Sequence, residues 1–75
     1  VIPFELLKDS FVKIYIIDIK GRTIQSLSNG MQSSGNHHVI WNGRDNRGKT
    51  VSSGTYFCRL ITDESSITRK ILLVR

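Results

Sequence analysis

Residues 41–60 read WNGRDNRGKTVSSGTYFCRL and hold Gly43, Gly48 and Gly54, three of the six glycines in the chain. Glycines this close together punctuate tight turns and leave no room between them for a helix of useful length. The same stretch carries the only tryptophan, Trp41, and the aromatic pair Tyr56-Phe57. Apolar side chains brought together by turns this tight can form the centre of a small β-sandwich.

The rest of the chain follows the same alternation of short apolar runs and turns. Residues 1–7, VIPFELL, place Ile2, Phe4 and Leu6 on one face at period two. Pro3 cannot donate to a ladder, so this is an edge strand. Residues 11–18, FVKIYIID, are the strongest strand signal, with Val12, Ile14 and Ile16 expected in the core. Gly21 closes a hairpin turn into a return strand over residues 22–27. Ile24 and Leu27 lie three apart there, which breaks strict alternation and predicts a bulge or an early strand end.

Residues 28–36, SNGMQSSGN, read as a loop, with Met31 as a plug over one end of the sandwich. Residues 37–41 form a strand, followed by a polar turn in which Asp45 accepts backbone amides and Gly48 closes the loop. Thr50 and Val51 make a very short strand. Residues 55–62 place Tyr56, Cys58 and Leu60 opposite Thr55, Phe57, Arg59 and Ile61. The last strand, residues 67–74, ends in the apolar run Ile71-Leu72-Leu73-Val74. The pattern is all-β: an immunoglobulin-like sandwich of about seven short antiparallel strands, with no crossover helix required.

Seventy-five residues make a single domain, expected to be the C-terminal part of a larger protein. A chain this short buries only about 60% of its unfolded surface and has no room for a core plus an active-site cleft. Val1-Ile2-Pro3-Phe4 carries neither a charged leader nor a cleavage site. No apolar run approaches the roughly 20 residues of a membrane span. The single cysteine, Cys58, cannot form an internal disulfide and is expected to be a buried apolar residue. The net charge is +5 and the basic residues are spread out, with no Lys/Arg run longer than two. That spacing reads as a solvated surface. An anionic surface glycan is the acidic partner it would suit, ahead of nucleic acid.

Several chemical constellations can be written down and set aside. His37 and His38 are neighbours on a strand, so their imidazoles point to opposite faces and cannot readily share a metal ion. Asp45-Asn46 lies in a glycine-bracketed loop, but calcium wants six to eight oxygens and Arg44 and Arg47 oppose the cation. Cys58 sits mid-strand, where a nucleophile would be packed away. No cofactor and no catalytic residue is expected. Trp41, Tyr56 and Phe57 read as core packing, with a sugar-stacking platform as the alternative.

At the level of longer motifs, VKIYIIDIKGRTIQSL resembles V-x-L-x-I-Y-D-x-x-G-R-x-V-x-x-L, and GNHHVIWNGRDNRGKTVSSGTYFCRL resembles G-x-H-x-V-x-W-D-G-x-D-x-x-G-x-x-V-x-S-G-x-Y-F-Y-x-L. These are stretches of the C-terminal sorting domains of the bacterial type IX (Por) secretion system and of FlgD-like immunoglobulin-like domains. SSITRKILLVR is similar to the closing segment of the sorting domains. The chain departs from the pattern at Ile17-Asp18 (for Tyr-Asp), Asn42 (for Asp) and Cys58 (for an aromatic), and lacks the upstream Asn-Pro segment.

The resemblance implies a non-catalytic module that directs a larger exported bacterial protein through the type IX system to the surface or the medium. Its partners would be the outer-membrane secretion machinery or neighbouring domains of the parent. The residues matching recognised elements are Gly54 and Tyr56, then Lys70, Ile71, Leu72, Leu73 and Val74. The alternative it implies is a FlgD-like structural or spacer module, in a flagellar hook cap or in an extracellular enzyme.

Overall fold

The computed structural model describes residues 1–74, and Arg75 lies outside them. Six strands follow in order: β1 (Ile2–Leu6), β2 (Ser10–Asp18), β3 (Thr23–Gln32), β4 (Gly35–Val39), β5 (Gly54–Ile61) and β6 (Ser66–Leu73). Strands β3, β2, β5 and β6 form one sheet in that order, and β1 pairs with β4 in a second. Every pairing is antiparallel. The two sheets make an immunoglobulin-like β-sandwich in which two strands cover four.

The sandwich forms around β2 because its alternation is unbroken and its inward residues are β-branched. Val12, Ile14 and Ile16 are each 0% exposed. Branching at Cβ restricts χ1 and fits these side chains to the pleated surface. Phe4 and Leu6 close over them from β1, and Tyr56 and Cys58 flank them from β5. Each fully buried aliphatic side chain contributes about 1.5–3 kcal/mol.

The irregular spacing on β3 resolves as two bulges. Its register against β2 slips once between Ile14 and Tyr15 and again between Ile16 and Ile17, so Leu27 and Ile24 are the extra residues. A bulge sets two residues against one, which lets both apolar side chains pack against the core despite their spacing of three. The same distortion brings Gln25 inward opposite Ile16, where its Oε1 is buried without a hydrogen-bond partner.

The sequence led to about seven strands, and the described residues form six. Residues 28–32, read as loop, continue β3, because Ser10, Phe11 and Val12 supply ladder partners for Gln32, Met31 and Gly30. Pairing overrides the weak strand propensity of a Ser/Asn/Gly-rich segment. Met31 is consequently 69% exposed on the outer face and plugs nothing. The fourth strand starts at Gly35 and stops at Val39, short of Trp41. Thr50 and Val51 form no strand; Thr50 makes only an isolated bridge to Arg44.

Trp41 packs half-buried against the core, edge-on to Tyr56 at 5.1 Å, and its Nε1–H donates to Arg44 O at 2.9 Å. Ile14→Ala is therefore expected to cost about 3–4 kcal/mol and Trp41→Ala about 2–3 kcal/mol. A domain of this size holds only roughly 4–11 kcal/mol in total. Urea titration followed by tyrosine fluorescence would check the order; a Trp41 variant less stable than the Ile14 variant would contradict it.

Candidate functional site

The two sequence-distant parts of the candidate recognition segment meet on neighbouring strands. Gly54 pairs with Leu73, Thr55 with Leu72, Tyr56 with Ile71 and Phe57 with Lys70. Alternation sends Tyr56, Ile71 and Leu73 toward the sandwich interior and Lys70 and Leu72 to the outer face. Leu72 is 68% exposed and Val74 86% exposed, so the closing apolar run is covered on one side only. Strand β6 ends the sheet order, and its eight pairs with β5 run without a register shift.

A groove of about 310 Å³ separates β6 from β1 and is lined by Val1, Ile2, Trp41, Cys58, Ile71 and Leu73, among others. Arg69 crosses it, its Nη1 donating to Pro3 O at 3.1 Å. Cys58 forms part of the groove wall but is only 3% exposed. Burial pushes its thiol pKa up, with the Arg69 charge opposing. The thiol is thus held in its unreactive protonated form, in keeping with the packing role expected of it.

Tyr56 is a structural pivot. Its ring is buried, and its hydroxyl donates to Ser52 O, four residues upstream, at 2.7 Å. A strand tyrosine tied back to the preceding backbone in this way is a feature of immunoglobulin-like sandwiches. Phe57 points to the opposite face of β5 from Tyr56, so Trp41, Tyr56 and Phe57 do not share one surface. The three aromatics therefore do not build a sugar-stacking platform together.

Two turns at one end of the sandwich repeat a single chemical design that inspection of individual residues did not single out. In the first, Asp18 N–H donates to Arg22 O and Gly21 N–H to Asp18 O, both at 3.0 Å. The Asp18 Oδ1 accepts from the Lys20 and Arg22 amides at 2.9 Å. In the second, Asp45 N–H donates to Lys49 O and Gly48 N–H to Asp45 O, while Asp45 Oδ1 accepts from the Arg47 and Lys49 amides. Gly21 (φ 82°) and Gly48 (φ 80°) occupy the same left-handed position. The signal was the recurring D-x-x-G-[RK] at residues 18–22 and 45–49. Asp45 is thereby committed to backbone amides, which explains the loop without a cation.

His37 and His38 do lie on opposite faces of β4: His37 stacks on Phe4 at 5.3 Å, and His38 is exposed. Among the described residues, no group of three or more His, Cys, Asp or Glu could hold a metal ion. No helix among them is long and apolar enough to cross a membrane.

The family model for the FlgD Ig-like domain matches residues 5–65. The chain belongs to the FlgD Ig-like family. No curated protein and no solved structure matches it. Strand β6 begins at Ser66, just past the matched span. The residues that the FlgD Ig-like match covers include both turns and Tyr56, all of which serve the fold of the Ig-like domain.

Two outcomes follow from these contacts. Tyr56→Phe is expected to cost about 1–1.5 kcal/mol by leaving Ser52 O without its donor, measurable as a shift in urea midpoint at constant slope. The amide hydrogen bond from Arg22, helped by its guanidinium and by the Lys20 amide, holds the Asp18 carboxyl below its ordinary value of 3.8. A lowered folded pKa gives stability that is present above the ordinary value and lost as pH falls through the folded one. Asp18→Asn should melt below the wild type at neutral pH, and the gap should close below pH 3.8. A gap of constant size down to acid pH would show that the Asp18 charge contributes nothing.

Proposed function

We propose that this chain is a non-catalytic sorting or attachment module of a larger exported bacterial protein, addressed through the type IX system to the cell surface or the medium. The observation that carries this reading is β6: an unshifted edge strand with Leu72 and Val74 exposed, set beside Gly54 and Tyr56 of the motif segment. A translocon component would read that edge. The secretion machinery or neighbouring domains of the parent are its partners, with an anionic surface glycan as a further partner suited to the net charge of +5.

A second reading is favoured by the span of the family match. The matched residues 5–65 stop before β6, and the contacts within them build and brace the sandwich. On that reading the chain is a FlgD-like spacer or assembly module, and β6 only completes its sheet.

Export separates the two. The 75 residues are fused behind a periplasm-directed fluorescent protein in a type IX-competent bacterium. A second fusion lacks residues 70–75, and a third carries Leu72→Ser with Val74→Ser, two exposed positions whose change leaves the core intact. Fluorescence at the surface or in the medium for the first fusion alone is the expected result. Retention of the intact fusion with the domain folded would overturn the sorting reading and leave the spacer role.

A further inference from the structure

A sheet edge is a row of unpaired backbone donors and acceptors that can template another strand, and folded domains block such edges. This sandwich blocks its edges by different devices. Strand β3 is bulged twice, and its backbone is capped by the neighbouring loop: Asn46 N–H donates to Ile24 O at 3.0 Å, and Ser26 N–H donates to Asn46 Oδ1 at 3.1 Å. Strand β1 carries Pro3, which has no N–H, and the Pro3 carbonyl is taken by Arg69. Strand β4 is only five residues long.

Strand β6 has none of these features. Its eight residues contain no proline, no glycine and no bulge, and no described strand pairs with its far side. Beside it lies the groove toward β1, lined by Ile71 and Leu73 together with Arg69 and Lys70, where Ile71 and Leu73 are half-buried because the two-stranded sheet stops short of β6.

We propose that the edge of β6 takes up an extended acidic segment of another protein as an added strand, whose inward apolar side chains fill the groove beside β1. The inference rests on the reading of β6 as the recognised element and names the chemistry of what recognises it. Charge selects the occupant. Arg69 and Lys70 are adjacent mid-strand, Arg69 on the groove face with its Nη1 on Pro3 O and Lys70 on the outer face, so each face carries one cation, and no carboxylate occurs from Ser66 to Val74. The nearest acid in sequence, Glu64, is paired with Lys8 at 2.6 Å, and Glu5 of β1 lies toward Ile67 and Arg69 on the groove side. A second copy of β6 laid antiparallel in central register would set Arg69 and Lys70 against their own like charges, which disfavours self-pairing. A segment with carboxylates at those positions gains cross-strand pairs instead. Backbone bonds would supply affinity, and alternate apolar side chains with central carboxylates would supply specificity.

The test uses peptides of matching length and alternating valine pattern, titrated into the isotope-labelled chain and followed by amide chemical shifts. One carries glutamate at two adjacent central positions, one facing the groove toward Arg69 and one facing outward toward Lys70, one carries lysine there, and one is the glutamate peptide with a central proline. The glutamate peptide should bind with shifts concentrated in residues 66–74. The lysine peptide should bind about tenfold more weakly, and raised salt should narrow the difference. The proline peptide should not bind. Lys70→Glu with Arg69→Glu should reverse the preference while the melting curve shows the domain folded.

Binding that ignores proline, shifts centred on the outer face at Tyr15 and Phe57, absence of binding, or a dimer formed through β6 would each overturn the proposal. Failure here with export intact would leave the sorting reading standing on side-chain recognition. Peptide binding without export would leave strand addition standing and remove the secretion address.

Discussion

The domain depends on the inner face of β2. Val12, Ile14 and Ile16 have no exposure at all, and both large-sheet neighbours, β3 and β5, hang on that strand by their backbone bonds. In a chain this small there is one hydrophobic core and no reserve. Phe4 and Leu6 from the short sheet serve mainly to seal that face. The two-over-four layering follows: β1 and β4 cover the central strands of the large sheet and leave the inner side of β6 partly open, with Ile67 and Arg69 exposed.

The turns fix where the strands end. Each Asp turn satisfies its own amides with one carboxylate oxygen and so needs little support from the core. The second turn is docked against β3 by Asn46, which joins the loop after β4 to the large sheet. A polar loop thus closes one edge, while an arginine and a proline close another. Tyr56 ties the start of β5 to the loop before it. The order of the large sheet is held by these polar contacts as well as by apolar packing.

The sequence made much of this legible. Unbroken alternation exposed β2, Pro3 identified an edge, the spacing of Ile24 and Leu27 announced a bulge, and mid-strand position placed Cys58 inside. What stayed hidden depends on partners distant in the chain. Ser28, Asn29 and Gly30 have no strand signal of their own and become strand because Val12, Lys13 and Ile14 stand opposite. The exposure of Met31 follows from that. The pairing of Tyr56 with Ile71 joins two segments of the candidate site that sequence reading could only name separately. Which edge is open is a property of sheet order, and no local pattern encodes it. The apolar run at residues 71–74 looked equally suited to two-sided burial; Leu72 is exposed because the second sheet, β1–β4, covers only the inner face of the large one.

The hairpin of β5 and β6 also sets how the domain responds to a load. Tension applied beyond Val74 acts first on the pair Gly54–Leu73, at the open end of the hairpin. The ladder bonds then come under force one after another toward the turn at Asp63 and Glu64, as a zipper opens, instead of sharing the force in shear. The edge strand β6 therefore peels pair by pair, while β2, held between two neighbours, stays seated. A pull along the chain would release the last strand and leave the β2-centred core as the part that resists.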